Sequence, residues 1–300
     1  MEALFFAIPK KIMGPHGFWM KISPGLNRRA TCHLAHLCLL ALGWSSTLHS
    51  QTVAWWRFDD DGVPAGTAAK AMTNAYQDSS QQGNALRRNE GAHPPESSTN
   101  VPDWKMEKRN TLSLHFPAKM QSQEIFSEPN LALNSLELPE VTLEGAFQCE
   151  GSEYFRGILC KDGQPNPSFP FPLLQVVFTR ADPDPVNIGD HLVVQWTDGK
   201  GTGRMLKTIA PLVVGRWYAF AVVMTQTTAS LYVKHEAKKD YQLEQVVPIE
   251  GGALLNATGR WAVGRGFFDG KTDNPYYGWL DEIRISKEAL PKEKFLFHQP

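Results

Sequence analysis

Two adjacent carboxylates, Asp281 and Glu282, lie in the middle of the otherwise strand-like stretch YYGWLDEIRIS, residues 276–286. The stretch alternates as a β-strand does, and successive side chains of a strand point to opposite faces of its sheet. Asp281 then shares a face with Ile283, whereas Glu282 shares the other face with Arg284 and can pair with it in water. Because a buried carboxylate is costly without partners, Asp281 requires hydrogen-bond donors or cations from elsewhere in the chain.

A second set of carboxylates bears on whether the protein is a glycoside hydrolase, which needs an acid and a base or nucleophile roughly 5 to 10 Å apart. The stretch LELPEVTLEG contains Glu137, Glu140 and Glu144. Glu140 and Glu144 share a strand phase, but no aromatic residues bracket them, so solvated glutamates are the expected state. The sequence also lacks the Gly-x-Ser-x-Gly, phosphate-loop and His-Glu-x-x-His motifs. No catalytic residue is predicted, and a non-catalytic protein is favoured.

Two stretches have the composition of a saccharide site, which needs aromatic faces for stacking and planar polar groups for hydroxyls. In GRGFFDGKTDNPYYGW, residues 264–279, the predicted ligand-binding residues are Phe267, Phe268, Asp273, Asn274, Tyr276 and Tyr277. In FTRADPDPVNIGDHLVVQWTDGKG, residues 178–201, they are Arg180 and Trp196. The alternative is that these aromatic side chains close the ends of a core, because aromatic residues dominate core burial.

The elements that would position these residues are strands. The chain has 24 glycines, 21 prolines and 11% aromatic residues, which favours many turns and strands. Apolar or alternating segments recur between turn signals, and LALNSLELP is one of them. RWYAFAVVM is apolar on both faces and is predicted to be a central strand covered on each side. Helical character is limited to KEALPKEKF. The pattern predicts an all-β sandwich of two packed antiparallel sheets.

Residues 1–50 differ from the remainder. Lys21, Arg28 and Arg29 precede an apolar run at 30–43, and the small and polar stretch SSTLHS follows. This is the order of a secretory signal peptide, and the run is too short to span a bilayer comfortably. We predict an upstream extension and signal peptide at 1–50, a secreted, periplasmic or cell-surface location, and no membrane span in the mature chain. A short N-terminal anchor and a buried helix are the alternatives.

Removal of that segment would leave two of the four cysteines, Cys149 and Cys160. If the strand-like stretches around them form a hairpin, the two thiols face each other, and a disulfide suits an exported protein. A bridge requires the two Cα atoms to lie within about 7 Å of each other. Two free thiols are the alternative, and the spacing does not indicate a zinc site.

Several segments together resemble the LamG-like jelly-roll domain of the concanavalin A-like lectin/glucanase superfamily. VAWWRFDDDG resembles the first strand of that family, and DSSQQGNALRR, residues 78–88, resembles its Asp-Ser-Ser-Gly-x-Gly-Asn turn. VGRWYAFAVVMTQTTASLYVKHE resembles the central hairpin, and WAVGRGF with YYGWLDEIRISKEALPKEKF resembles the closing unit. The resemblance covers residues 51–300. It departs from the family at Gln82, where glycine is more usual, and in a long insertion at 89–110.

The resemblance implies a jelly roll whose first and last strands are neighbours. Asp59 or Asp60, at the end of the first strand, would then approach Asp281, with Asp78 in the following turn. Carboxylates that converge with backbone carbonyls suit Ca²⁺, which typically takes six to eight oxygen ligands, so these residues are the predicted metal ligands of a structural calcium site. The alternative is that Asp281 accepts backbone N–H bonds or pairs with Arg57, fixing the closure of the sheet.

The predicted function follows from this resemblance and from the candidate loops. The resemblance implies an exported, non-catalytic recognition module that binds carbohydrate, or else an extracellular or cell-surface protein. A glycoside hydrolase or polysaccharide lyase that uses the sandwich cleft is one alternative, and a structural or adhesion protein without a small ligand is another. The formal net charge of -1 indicates neither a nucleic-acid partner nor an anionic membrane surface.

Overall fold

The computed structural model describes residues 51–59, 76–88, 94–106, 108–117, 119, 123–151, 155–168, 170–179, 189–252 and 258–299. The signal peptide predicted at 1–50 therefore lies outside the described residues. Residues 50–300 group as one unit by their internal contacts. None of the helical turns in the described ranges has the length and apolar character needed to cross a membrane.

Antiparallel strands account for nearly all of the regular structure in the described chain. In chain order they are β1 (Thr52–Trp56), β2 (Leu86–Arg88), β3 (Glu96–Ser98), β4 (Ser113–Phe116), β5 (Ile125–Ser127), β6 (Val141–Cys149), β7 (Arg156–Lys161), β8 (Leu174–Phe178), β9 (Leu192–Thr197), β10 (Gly203–Lys207), β11 (Tyr218–Met224), β12 (Thr228–His235), β13 (Gln242–Pro248), β14 (Trp261–Val263), β15 (Gly266–Phe268), β16 (Lys271–Asp273) and β17 (Gly278–Ser286). The helical segments are 3₁₀ turns at Ala132–Ser135 and Lys292–Lys294.

The strands form two large sheets and one small hairpin, which confirms the predicted jelly-roll sandwich. Sheet A has the order β13-β12-β11-β6-β17-β4-β3, and β1 also pairs with β17; sheet B has the order β10-β9-β8-β7-β14-β5-β2. β1 runs antiparallel to β17, with Trp55 opposite Arg284, so the first and last strands are neighbours as the resemblance implies. β11, which contains most of RWYAFAVVM, lies between β6 and β12 as predicted. β15 and β16 form the separate hairpin.

Apolar side chains from the facing sides of the two sheets form the main core. Its largest aromatic members are 0 or 1% exposed and include Trp56, Phe147, Trp196, Phe220 and Trp261. A second apolar cluster combines Ala146 and Ala219 of sheet A with Trp104 and Phe295 from outside the strands. Since alternate residues of a strand point to opposite faces, this second cluster covers the outer face of sheet A.

Three stretches fold differently from the sequence prediction. LALNSLELP contains a 3₁₀ turn at Ala132–Ser135 instead of a strand, and the side-chain amide of Asn134 holds this turn by donating to the Glu128 carbonyl at 2.5 Å. KEALPKEKF contains only the turn at Lys292–Lys294. β13 was not expected, because most of its side chains are exposed or half-buried and the hydrophobic pattern is correspondingly weak.

Candidate functional site

A β-bulge in β17 decides where the two adjacent carboxylates point. The register between β17 and β6 shifts between Asp281 and Arg284, and Glu282 has a φ of 52°. A bulge adds a residue to one strand and changes the direction of the side chains around it, so the strict alternation predicted for this stretch is wrong. Asp281 and Glu282 are both 0% exposed. Glu282 does not pair with Arg284 in water, and the partner of Arg284 is the buried Glu144.

Glu282 is held by two side chains from the first strand and its extension. Arg57 donates from Nε to Glu282 Oε1 at 2.9 Å, and its Nη2 lies 2.8 Å from the same oxygen. Trp55 donates from Nε1 to Glu282 Oε2 at 2.7 Å. Burial raises the pKa of Glu282 to about 7, although the hydrogen bonds and the charge of Arg57 act to lower it.

Asp281 is a fully buried hydrogen-bonding group. Its Oδ2 accepts a hydrogen bond from Asn110 Nδ2 at 2.7 Å. Burial, followed by the charge of Glu282, raises the pKa of Asp281 well above its ordinary value. This shift favours the protonated carboxyl group, which avoids the cost of a buried negative charge. Asp281 is buried as expected, but its partner is Asn110, and Glu282 is the residue that pairs with Arg57.

Asp59 connects the end of the first strand to the segment that precedes β4. Its Oδ1 accepts hydrogen bonds from Thr111 N at 2.7 Å, Thr111 Oγ1 at 2.9 Å and Leu112 N at 2.8 Å. Its Oδ2 lies 2.7 Å from Arg57 Nη2, which also donates to the Arg109 carbonyl at 3.2 Å. Arg57 is thus fixed by two carboxylates and one carbonyl, a geometry that suits the planar guanidinium.

Arg57 and Asp59 lie at one side of a pocket of about 470 Å³. The pocket is lined by Arg57, Phe58, Asp59, Gln77, Ser79, Lys108, Arg109 and Thr111. Guanidinium, carboxylate, amide, hydroxyl and ammonium groups therefore meet in a space of the size, roughly 300–1,000 Å³, that holds small ligands. Sequence reasoning missed this pocket because its lining comes from three separate stretches of loop, and no local motif links them.

The predicted calcium ligands are divided between this pocket and the neighbouring turn. Asp78 accepts hydrogen bonds, 2.9 to 3.0 Å long, from the backbone N–H groups of Trp55, Ser80 and Asn84. Asp60 lies outside the described residues. In the described ranges, no three His, Cys, Asp or Glu side chains are placed to hold a metal ion. The oxygens of Asp59 and Asp78 meet hydrogen-bond donors, a surrounding that does not favour Ca²⁺, and calcium binding stays a prediction.

The aromatic loop predicted to bind saccharide folds in part as the β15–β16 hairpin. Phe268 is 41% exposed, Asp273 is exposed, and Phe267 is half-buried. The backbone N–H of Phe267 donates to Gln175 Oε1 at 2.9 Å, which fixes the hairpin to sheet B. Asn274 is half-buried and has a φ of 56°. The hairpin thus presents one well-exposed aromatic ring and not the extended stacking surface that the sequence suggested.

The remaining predicted saccharide contacts are buried, half-buried or outside the described residues. Trp196 and Tyr276 are both 0% exposed, so the prediction that their rings stack on a ligand is wrong. Both side chains belong to the sandwich core, which agrees with the alternative prediction that these aromatic residues pack in the core. Tyr277 is half-buried, and the guanidinium carbon of Arg156 lies 5.6 Å from its ring centroid. Arg180 lies outside the described residues.

Cys149 and Cys160 are free, buried thiols, so the predicted disulfide is wrong. Cys149 ends β6 in sheet A, whereas Cys160 lies in β7 of sheet B. The chain passes from one sheet to the other between them, so the hairpin that would have placed the thiols opposite each other does not form. Burial raises the pKa of Cys149 to about 12 and that of Cys160 well above its ordinary value, which keeps both thiols protonated.

The glutamates considered for hydrolysis do not form a catalytic pair. Glu144 is 0% exposed, and it accepts hydrogen bonds from Arg284 Nε at 2.7 Å and from Leu296 N at 2.8 Å. The expectation that Glu144 is solvated is therefore wrong, because the C-terminal segment covers this part of sheet A. Glu137 is exposed and Glu140 is half-buried, as expected of residues on the rim of a strand.

A two-sheet antiparallel sandwich whose first and last strands pair is the architecture of the lectin-like jelly rolls. Residues 180–294 match a laminin G family described as "Concanavalin A-like lectin/glucanases superfamily". This match and the fold agree with the resemblance to LamG-like jelly rolls that the sequence motifs indicated. No curated protein matches the sequence.

Solved structures with a similar fold include three toxin binding domains. The binding domain of Paraclostridial Mosquitocidal Protein 1 has a TM-score of 0.52 and 11% identity, covering 81% of this chain and 50% of that chain. The binding domain of botulinum neurotoxin serotype G has a TM-score of 0.51 and 9% identity, and the match covers 81% of this chain and 49% of that chain. The binding domain of serotype D has a TM-score of 0.50 and 12% identity, and the match covers 82% of this chain and 50% of that chain. The chain spans about half the length of these structures, and the likeness shows the fold alone.

Proposed function

We propose that the domain is a non-catalytic recognition module that binds a hydroxyl-rich saccharide in the pocket beside Arg57. The observation that carries this proposal is the meeting of planar and hydroxyl groups, among them Arg57, Gln77, Ser79 and Thr111, in one space of about 470 Å³. Such groups recognise the hydroxyls of a sugar by paired hydrogen bonds. A saccharide ligand also accords with the export signal and the secreted or cell-surface location that we propose from residues 1–50.

The state of the carboxylates beside the pocket supports binding over hydrolysis. A hydrolase needs one carboxyl group as acid and another as base or nucleophile, both able to reach the scissile bond. Asp281 and Glu282 are 0% exposed, and Glu282 is paired with Arg57. Asp59 uses one oxygen on three donors and the other on Arg57. These contacts leave no free carboxylate pair among the described pocket residues.

A glycan array probed with the full chain tests the proposal, with Gln77→Ala and Ser79→Ala as pocket variants. Each variant removes side-chain groups that we expect to contact sugar hydroxyls, so binding should weaken by about three- to tenfold, the effect of one hydrogen bond. Gln82→Ala is the matched control, because Gln82 is exposed and does not line the pocket. Depolymerised product, or equal losses in Gln82→Ala and Gln77→Ala, would contradict the proposal. Binding to a protein and to no glycan would favour the protein partner.

A further inference from the structure

We infer that the pocket selects saccharides that carry a carboxylate or sulfate group, and that the guanidinium of Arg57 receives this group. The inference rests on the proposed function and names the chemical class of the ligand. Three features carry it: an edge of the Arg57 guanidinium that no described residue occupies, the charge of the pocket rim, and the lack of a stacking surface in the described lining.

Arg57 is fixed in position, and the described residues use only part of its hydrogen-bonding capacity. Its Nε and Nη2 groups contact Glu282, Asp59 and the Arg109 carbonyl at 2.7 to 3.2 Å. No acceptor among the described residues takes a hydrogen bond from Nη1, and Arg57 lines the pocket. A guanidinium that is already held in one orientation loses little conformational freedom when it binds a further oxyanion.

The rim adds positive charge that the described carboxylates do not neutralise. Lys108 and Arg109 line the pocket and are exposed, and no described carboxylate lies within ion-pair distance of either side chain. With Arg57 they contribute three positive charges to the described lining, against one negative charge from Asp59. Asp281 and Glu282 are both 0% exposed and are not among the described lining residues. The described pocket is therefore net positive, which favours an anionic ligand.

The described residues of the lining offer a neutral sugar ring no aromatic face to stack on. Phe58 is the aromatic residue of the lining, but it is only 3% exposed, and its ring packs edge-on against Tyr76 with the centroids 5.3 Å apart. Polar contacts must therefore decide which saccharide binds. A hydrogen bond to an ionised group is roughly twice as strong as one between neutral groups, so an anionic substituent placed at Arg57 dominates, and Gln77 and Ser79 remain available for hydroxyls.

The test measures binding of the full chain to three galactose-based polymers by isothermal titration calorimetry. The polymers are neutral galactan, polygalacturonate and a sulfated galactan. We expect an affinity at least about tenfold higher for a charged polymer than for galactan, as one additional charge-assisted hydrogen bond produces. Tighter binding of polygalacturonate would identify a carboxylate as the group that Arg57 receives. Tighter binding of the sulfated galactan would identify a sulfate.

The two proposals fail in different ways in this experiment. Equal affinity for galactan and for both charged polymers would overturn the inference and leave the proposed saccharide binding intact. Binding to none of the three polymers would overturn the inference, and binding to no glycan on an array would overturn the proposed function as well.

Pocket variants separate a defined site from general attraction between charges. Lys108→Gln and Arg109→Gln alter exposed side chains and should each weaken binding of the preferred polymer by about threefold or more, as expected for a lost charge contact. Arg57→Lys keeps the charge but loses the planar fork, so binding should weaken by about tenfold or more. Lys105→Gln is the matched control, an exposed lysine that does not line the pocket. Equal losses in Lys105→Gln and Lys108→Gln would overturn the inference, even if Arg57→Lys fails to fold.

Discussion

Replacement of Asp281 by alanine removes a fully buried hydrogen-bond acceptor. Asn110 Nδ2, 2.7 Å from Asp281 Oδ2, would lose its partner. A buried donor without a partner costs about 1–3 kcal/mol, and the small cavity adds about 1 kcal/mol. We expect Asp281→Ala to lower the free energy of unfolding by about 2–4 kcal/mol, which corresponds to a fall in Tm of roughly 5–15 °C for a domain of about 250 residues.

Asp281→Asn distinguishes a protonated carboxyl from an ionised one. Asparagine has the shape of the protonated acid and can still accept from Asn110, so its cost at pH 7 should be below about 1 kcal/mol. Because burial raises the pKa of Asp281 in the folded state, we expect the folded wild type to keep a proton that the unfolded chain releases above about pH 4. Stability therefore falls as pH rises, by about 1.4 kcal/mol per pH unit for each proton retained. Glu282 adds to this fall up to about pH 7, and Asp281→Asn should keep only the Glu282 contribution.

Urea unfolding followed by tryptophan fluorescence at pH 5, 6 and 7 measures both effects. Asp103→Asn is the matched control, because Asp103 is exposed and its replacement should change stability by less than about 0.5 kcal/mol. An Asp281→Ala variant as stable as the wild type would refute the buried role. An Asn variant as unstable as the Ala variant at pH 7 would show that the carboxyl is ionised in the folded state.

Three further predictions concern the buried ion pair, the thiols and calcium. Glu144→Gln breaks a buried pair and should cost about 3–5 kcal/mol in urea unfolding, whereas the half-buried Glu140→Gln should have little effect; equal costs would count against the pair. Cys149 and Cys160 should be alkylated by iodoacetamide only after denaturation, as peptide mapping by mass spectrometry would show, and labelling of the native protein would contradict their burial. The calcium prediction requires EDTA to lower the Tm and added CaCl₂ to restore it; a Tm that does not respond rules it out.

Alternation of apolar and polar residues predicted the long strands of sheet A best. VTLEGAFQC coincides with β6, and the closing stretch coincides with β17, because both strands lie in the middle of sheet A where each face has a consistent environment. The same alternation failed at Glu282, where a bulge interrupts the pairing with β6. No local signal marked this bulge, since the residue that takes a positive φ is a glutamate rather than a glycine.

Residue types and periodicity were sufficient to predict an all-β sandwich of two sheets, because strand alternation and turn chemistry depend on near neighbours in the sequence. The jelly-roll topology and the pairing of the first and last strands were implied by the family resemblance. Only the tertiary structure decided which side chains meet. Trp196 became core because its face of β9 lies against sheet A. Arg57, Gln77 and Lys108 came to share one pocket because loops far apart in sequence converge. Burial, charge pairing and pKa depend on such distant neighbours, which local patterns do not contain.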